Sequence, residues 1–177
     1  MCIRDSHKGV QLLPFDPYNS YSVEMAMDDL DSAWQNIDIL LNISDFGSAS
    51  MLADKQYNYN QMLHTNIKVM NNVTQKIVPY LKERETGNII NILPIDRSIG
   101  KGPIHKVLVE GLSAFTKTLQ LDLRDHNITV SQLLPEFDKS VTEEMSVGVA
   151  NMIHFITTQP DNLAIKNIAF QMTEQGD

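Results

Sequence analysis

Short apolar runs alternate along this chain with longer segments of helical periodicity. This alternation is typical of β-strands joined by helical crossovers, which pack as a parallel sheet with helices on its faces. The predicted strands are Val10–Phe15, Ile37–Leu41, Asn88–Leu93, Ile128–Leu134 and Leu163–Met172. The predicted helices are Ser22–Trp34, Asn58–Arg84, Lys106–Arg124 and Glu143–Thr158. The sequence therefore predicts an α/β fold in a single domain.

Prolines and glycines set the expected ends of these elements. Pro79 should kink the second helix or mark its last turns, because proline lacks the amide hydrogen that a helix interior needs. Gly87 is expected to stop that helix, and Pro135 to close the fourth strand. The polar stretches at 42–54 and 94–103 are expected to be loops.

Composition argues against several classes of function. A net charge of −8 over 177 residues argues against a nucleic-acid surface and against docking on anionic lipid. No apolar run approaches the ~20 residues that a membrane-spanning helix needs. The single cysteine, Cys2, rules out an intrachain disulfide and fits a cytoplasmic location. The five histidines lack metal-ligand spacing, so no metal site is predicted.

The first six residues, MCIRDS, match the translated end of a common sequencing adapter. We therefore expect residues 1–6 to be a non-native scar and residues 7–177 to form one domain fragment. Under this interpretation the natural chain begins upstream. An ordinary short N-terminus is the alternative.

Several short segments, in the right order and at nearly the right spacing, resemble those of the short-chain dehydrogenase/reductase family. Each segment alone is common, but their order makes the resemblance specific. They are Ile37–Asn42, His64–Lys68, Gly87–Ile92, Lys106 with Gly111, Leu119–Leu123, Asn127–Val130 and Leu134–Pro135. The tail from Val149 to Met172 is similar to that of the NADP-dependent 3-hydroxy acid (serine) dehydrogenase branch.

The resemblance implies a Rossmann-type doubly wound parallel sheet that lacks its first two strands here. In the family, those two strands lie between the third and the fourth. The strand predicted at Val10–Phe15 is therefore expected to pair directly with Ile37–Leu41, or to remain a poorly supported edge.

The resemblance also implies hydride transfer between NADP or NAD and a small hydroxy acid or carbonyl compound. Asn66 corresponds to the family's proton-relay asparagine and Lys106 to its catalytic lysine. The tyrosine four residues before that lysine is replaced by Gly102, and the serine position falls on Leu93 or Pro94. Losing such acid/base groups impairs catalysis, so we expect this chain to be catalytically impaired.

Two nearby residues are weak substitutes for the missing groups. Ser98 replaces the serine only if a gap is placed awkwardly. His105 lies about 100° around the helix from Lys106, and therefore points elsewhere.

The expected cofactor contacts are Asp16, Asn42, Lys106 and Pro135. Asp45 and Glu136 would bring negative charge close to an anionic cofactor. The sequence contains no Gly-x-x-x-Gly-x-Gly phosphate loop, which in the family meets the pyrophosphate at a helix N-terminus.

Other interpretations remain open. Asn66 is alternatively a buried amide bonded to backbone, Lys106 a solvated helix-start lysine and Asp16 a turn residue. The whole chain is alternatively a non-catalytic relative or gene fragment that acts through its interaction surfaces. The family pairs its subunits through two long helices, so we expect a homo-oligomer through helices 58–84 and 106–124. An unrelated flavodoxin-like binding domain is a third possibility.

Overall fold

The computed structural model describes residues 15–16, 19–28, 37–44, 63–96, 103–137, 143–160 and 162–171. The helices within these ranges are α1 (Ser20–Asp28), α2 (Met70–Arg84), α3 (Pro103–Asp122) and α4 (Glu143–Thr157). A π-helical turn, His64–Val69, leads into α2, and a 3-10 turn, Arg124–His126, follows α3. The strands are β1 (Ile39–Ile43), β2 (Gly87–Ile92), β3 (Ile95–Asp96), β4 (Ile128–Phe137) and β5 (Asn167–Gln171).

Strands β1, β2, β4 and β5 lie side by side in that order, and every pair is parallel. The short strand β3 also pairs in parallel with the end of β4. Parallel neighbours require crossover connections, which α2, α3 and α4 supply. The predicted α/β fold with a parallel sheet is confirmed.

Helices cover both faces of the sheet. On one face, α2 and α3 contribute to two apolar clusters. The first contains Leu40, Ile77, Leu81, Ile89 and Val130. The second contains Met70, Leu93, Leu108 and Leu112. On the opposite face, Ile156 of α4 packs with Ile90, Ile92 and Leu133. This two-sided cover is the doubly wound arrangement that the resemblance implies.

Strand β1 is buried on one face only. Leu40 and Asn42 are buried, whereas Ile39, Leu41 and Ile43 are 42%, 41% and 68% exposed. The prediction of a buried strand at Ile37–Leu41 is therefore wrong for one face and also two residues too early. The cluster under α4 includes no residue of β1, so this helix leaves the outer face of the strand uncovered.

Helix α1 begins two residues before the predicted Ser22. Its N-cap is Asn19, whose Oδ1 accepts hydrogen bonds from the backbone N–H groups of Tyr21 and Ser22 at 3.1 and 3.3 Å, as N-cap asparagines do. At the other end, Asp28 bonds Lys76 of α2 at 2.9 Å. This hydrogen bond raises the pKa of Lys76. Residues 29–36 lie outside the described ranges.

Helix α2 ends at Arg84, so the expectation that Gly87 stops it is wrong. The capping residue is Glu85 in the left-handed conformation, at φ 51°. Pro79 lies within the last two turns of the helix, as predicted. Gly87 instead begins β2 at φ 149°, where a Cβ atom would lie 2.7 Å from Cδ2 of the buried Leu81. Glycine is needed there for close packing of strand on helix.

Two other predicted boundaries that involve a proline differ from the structure. Helix α3 begins at Pro103 rather than Lys106, because proline is well suited to a first helical position. Strand β4 continues through Pro135 to Phe137, although closure at Pro135 was expected. The register of β4 steps from Ile92 opposite Leu133 to Ile95 opposite Glu136, so Pro135 falls where β2 has ended and β3 has not begun.

Three smaller differences concern strand ends. Strand β1 extends into the predicted loop as far as Ile43, and β3 lies inside the loop predicted at 94–103. Strand β5 begins at Asn167 instead of Leu163. Residues 1–14 lie outside the described ranges, so the scar at 1–6 and the pairing of Val10–Phe15 stay predictions. Phe15 itself is partly buried against the cluster under α2. No helix among the described residues has the length and apolarity to cross a membrane.

Candidate active site at the carboxyl ends of the strands

Three amide side chains lie in register across neighbouring strands. Asn42 of β1 stands opposite Asn91 of β2, which in turn stands opposite Gln132 of β4. All three are buried. We call them the amide row. Asn42 and Asn91 lie near the carboxyl ends of their strands, the edge at which open α/β sheets bind ligands.

Direct hydrogen bonds connect the amide row to the helices above it. Asn42 Nδ2 donates to Asn91 Oδ1 at 2.9 Å and to Thr74 Oγ1 of α2 at 3.3 Å. Asn91 Nδ2 donates to Thr116 Oγ1 of α3 at 2.8 Å, and Thr116 donates in turn to the carbonyl oxygen of Leu112 at 2.9 Å. Gln132 Nε2 donates to Ser113 Oγ at 2.7 Å. A buried network satisfied in this way holds helices and strands in one arrangement.

The side-chain amide of Asn42 thus forms its hydrogen bonds within the protein. Its Nδ2 group bonds two protein partners, which fixes β1 against β2 and α2. The next buried residue along, Ser44, donates its backbone N–H to the carbonyl oxygen of Ile92 at 3.0 Å. The Oγ atom of Ser44 is buried without a hydrogen-bond partner among the described residues. A buried hydroxyl in this state is uncommon and identifies a polar position beside the crevice.

Asn66 is buried, with 5% of its surface exposed, and lies within the π-helical turn. Leu63 and Met70, on either side of it in sequence, pack in the cluster that contains Leu93 and Leu108. Asn66 therefore lies in the turn that packs over the end of β2 and the start of α3. Wide π-helical turns occur frequently at functional sites.

The residue at the first candidate serine position, Leu93, is fully buried. Its backbone N–H donates to the carbonyl oxygen of Leu133 at 2.9 Å, and its side chain packs with Met70, Leu108 and Leu112. Pro94, the other candidate position, is half-buried. Neither side chain supplies a hydroxyl at the end of β2. The other relevant positions, Asp45, Ser98 and Gly102, lie outside the described ranges.

Lys106 and His105 face different surroundings on the first turn of α3. Lys106 is exposed, whereas His105 is 8% exposed on the same side as the buried Leu108 and Leu112. The expectation that the two side chains point in different directions is confirmed. The side chain of Lys106 therefore lies at the surface of the protein.

The remaining predicted cofactor residues fall in two places. Asp16 is exposed, and its backbone N–H donates to Ser22 Oγ at 3.0 Å while its carbonyl oxygen accepts from Asn19 N–H at 3.1 Å. It thus belongs to the turn that leads into α1. Pro135 is buried at the carboxyl end of β4, followed by the half-buried Glu136, at the same edge of the sheet as the amide row and Leu93.

The sequence analysis did not identify Gln132 of the amide row or the residues that bond the row. These are Thr74, Ser113 and Thr116, which have no distinguishing sequence motif. One of these residues could have been found from its position in the sequence, because Thr116 continues the buried stripe of α3 four residues after Leu112. A polar residue on an apolar stripe must find a partner when it is buried.

Comparison with known families identifies the fold. A family model of the short chain dehydrogenases matches residues 3–146. The chain belongs to this family. The match includes the amide row, the π-helical turn, α3 and most of the sheet.

Two proteins of similar sequence are named as a dehydrogenase and a reductase. A probable NADP-dependent dehydrogenase of Haemophilus influenzae is 26% identical over 200 residues, covering 96% of this chain and 78% of that protein. A 3-oxoacyl-[acyl-carrier-protein] reductase of Thermotoga maritima is 28% identical over 113 residues, covering 62% of this chain and 46% of the reductase. The chain thus spans less than half of the reductase.

Solved structures show the same fold. Serine dehydrogenase from Escherichia coli superposes with a TM-score of 0.70 at 24% identity, covering 88% of this chain and 72% of that one. A metagenomic short-chain oxidoreductase in complex with NADP gives a TM-score of 0.69 at 20% identity, covering 91% and 73%.

Proposed function

We propose that this short-chain dehydrogenase retains an NAD(P)-binding crevice but transfers protons poorly. The parent reaction is hydride transfer between NADP or NAD and a small hydroxy acid or its carbonyl counterpart. The support comes from the family match, from the relative named as a probable NADP-dependent dehydrogenase, and from a tail similar to that of serine dehydrogenases. A bound nicotinamide would supply or accept the hydride.

The observation that carries the proposal is the surroundings of Leu93. A hydroxyl at the end of β2 is what polarises the substrate oxygen in this family, and here an alkyl side chain is packed among Met70, Leu108 and Leu112. Gly102, four residues before Lys106, has no side chain to donate a proton. Each placed acid/base group contributes typically 10²–10⁴ in rate, so their loss leaves turnover close to background.

The residues that remain support binding better than proton transfer. Lys106 presents an exposed ammonium group at the start of α3, and Asn66 lies in the turn packed against the same helix. Asn42 acts through the amide row by positioning the end of β1, while Ser44 offers a hydroxyl without a protein partner among the described residues.

The test is titration of the full-length protein with NADPH and with NADH, followed by nicotinamide fluorescence. We expect saturable binding that weakens at least fivefold in Lys106→Ala. Lys82→Ala, which removes a lysine from α2, serves as the control and should bind like the unmodified protein. Absence of saturable binding of either cofactor would overturn this proposal in favour of the non-catalytic alternative.

A second candidate function is self-association without chemistry. Ile67 in the π-helical turn and Val107 in α3 are 42% and 57% exposed, and they lie on the two helices through which the resemblance pairs subunits. We propose that a second copy of this chain covers them, in a two-fold interface through helices 58–84 and 106–124. Two-fold interfaces use the same patch on both subunits.

We also propose a cytoplasmic location and a small-molecule substrate. Residues 7–177 contain no cysteine, which fits a reducing compartment. Secretion of the protein by its native host would overturn the location.

A further inference from the structure

A cavity of about 390 Å³ lies at the end of the sheet opposite the candidate active site. It is bounded by the last turns of α3, by Ile128–Val130 at the start of β4, and by the segment that enters β5. The carboxyl ends of the strands, where the amide row lies, face the other way. The cavity is therefore separate from the crevice proposed to hold the cofactor.

Three basic side chains line this cavity: Lys117, Arg124 and Lys166. Lys117 lies in the last turns of α3, and Arg124 begins the 3-10 turn that follows this helix. Lys166 comes from the segment before β5. The cations thus converge from two different parts of the chain.

An amide fixes these two parts relative to each other. Gln120 lies near the end of α3, between Lys117 and Arg124 in sequence, and its Nε2 donates to the carbonyl oxygens of Val130 and Lys166 at 3.0 and 2.9 Å. One side chain thereby joins the helix, the start of β4 and the segment before β5. This arrangement sets the backbone positions from which the basic side chains extend.

The charge of the cavity contrasts with that of the protein. No aspartate or glutamate is among the described residues that line it, although the chain carries a net charge of −8. Within the described part of the chain, Lys117 and Lys166 form no ion pair with a carboxylate. Arg124 has a single partner there, Asp125 at 3.2 Å, and the two side chains are 70% and 80% exposed. Ion pairs as exposed as this one contribute little free energy. The positive charge of the cavity is therefore available to a ligand.

We propose that this cavity binds a small phosphorylated molecule that carries at least two negative charges. Clustered cations repel one another unless an anion lies between them, and a concave site strengthens their combined field. The guanidinium of Arg124 matches phosphate oxygens in bidentate geometry, while lysines act as point charges. The volume is in the range of small-ligand sites.

The experiment is calorimetric titration of the full-length protein with inorganic pyrophosphate, with sulfate at equal ionic strength as the comparison anion. We expect saturable pyrophosphate binding that weakens at least tenfold in Lys117→Glu and in Lys166→Glu. Lys82→Glu makes the same change in net charge on α2, away from the cavity, and should bind within twofold of the unmodified protein. Equal melting temperatures would show that the variants fold alike.

Several results would overturn the proposal. These are non-saturable binding, binding equal to that of sulfate, or equal weakening in the Lys82→Glu control. Pyrophosphate displaced by NADP but unaffected by Lys117→Glu would place the anion in the cofactor crevice instead. If a charge reversal lowers the melting temperature, Lys117→Gln and Lys166→Gln replace it, with an expected weakening of at least threefold. Unchanged binding in both glutamine variants would contradict the proposal.

Discussion

The Nδ2 group of Asn42 donates to Oδ1 of Asn91 over 2.9 Å, between residues that stand directly opposite each other on β1 and β2. Asn91 passes the connection to Thr116 on α3, and Asn42 bonds Thr74 on α2. Two strands and two helices thus meet through buried polar groups beside the candidate active site. The same groups that lie beside the candidate active site also contribute to folding.

Asn91→Ala should lower the free energy of unfolding by about 1–3 kcal/mol, because it removes the partner of two buried groups. The measurement is urea denaturation followed by circular dichroism. Asn88→Ala is the matched control, since Asn88 is a half-buried asparagine on the same strand. We expect it to cost less than about 1 kcal/mol. Equal losses in the two variants would contradict a special role for the amide row.

Gly87→Ala and Gly111→Ala should have opposite signs. At Gly87 a Cβ atom would lie 2.7 Å from Leu81 Cδ2 and the backbone φ is 149°, so alanine should destabilise the protein by more than about 1 kcal/mol. At Gly111, in the middle of α3, no described atom outside the local helix backbone lies within 4 Å of the added Cβ. Alanine there should stabilise the helix by roughly 0.5–1 kcal/mol. Thermal melts of both variants test this, and a neutral Gly87→Ala would refute the close-packing argument.

Leu93→Ser and Pro94→Ser should lower the free energy of unfolding by different amounts. Leu93 is fully buried among apolar side chains, so serine there should cost about 2–5 kcal/mol, as a large-to-small core substitution does. Pro94 is half-buried, and serine there should cost about 1 kcal/mol or less. Chemical denaturation measures both. If the order of the losses is reversed, Leu93 does not have the structural role assigned to it.

Ile67→Lys combined with Val107→Lys should convert an oligomer into a monomer, because charge at the centre of an apolar interface is costly. Analytical ultracentrifugation would measure the change. Tyr21→Lys is the control, because Tyr21 is 68% exposed on α1, outside the proposed interface. If the unmodified protein is monomeric at micromolar concentration, or if the double variant still associates, the proposed interface is wrong.

The type of most elements followed from the sequence. Long periodic segments such as α3, and apolar runs such as β2, predict their own class because one face or both faces must be buried. The parallel arrangement followed from the alternation of these segments. The exposed face of β1 did not, because apolar residues such as Ile39 and Leu41 read as buried whether or not a helix covers them.

The candidate site was only partly predictable. Sequence position singled out Asn42, Asn66, Lys106 and the apolar Leu93. Position could not show that Asn42 bonds Asn91 and Thr74, since a hydrogen bond between distant segments depends on strand register. The capping by Glu85 and the passage of β4 through Pro135 were also missed, because tertiary contacts there override the local preferences of glycine and proline.

The central claim is that this short-chain dehydrogenase lacks the groups that move the proton. The direct measurement is steady-state turnover by the pure full-length protein, with NADP and 3-hydroxy acids and with NADPH and 3-oxo compounds, compared with Lys106→Ala. We predict rates near background for both proteins, with no difference between them. NADP-dependent turnover by the unmodified protein that disappears in Lys106→Ala would contradict the claim.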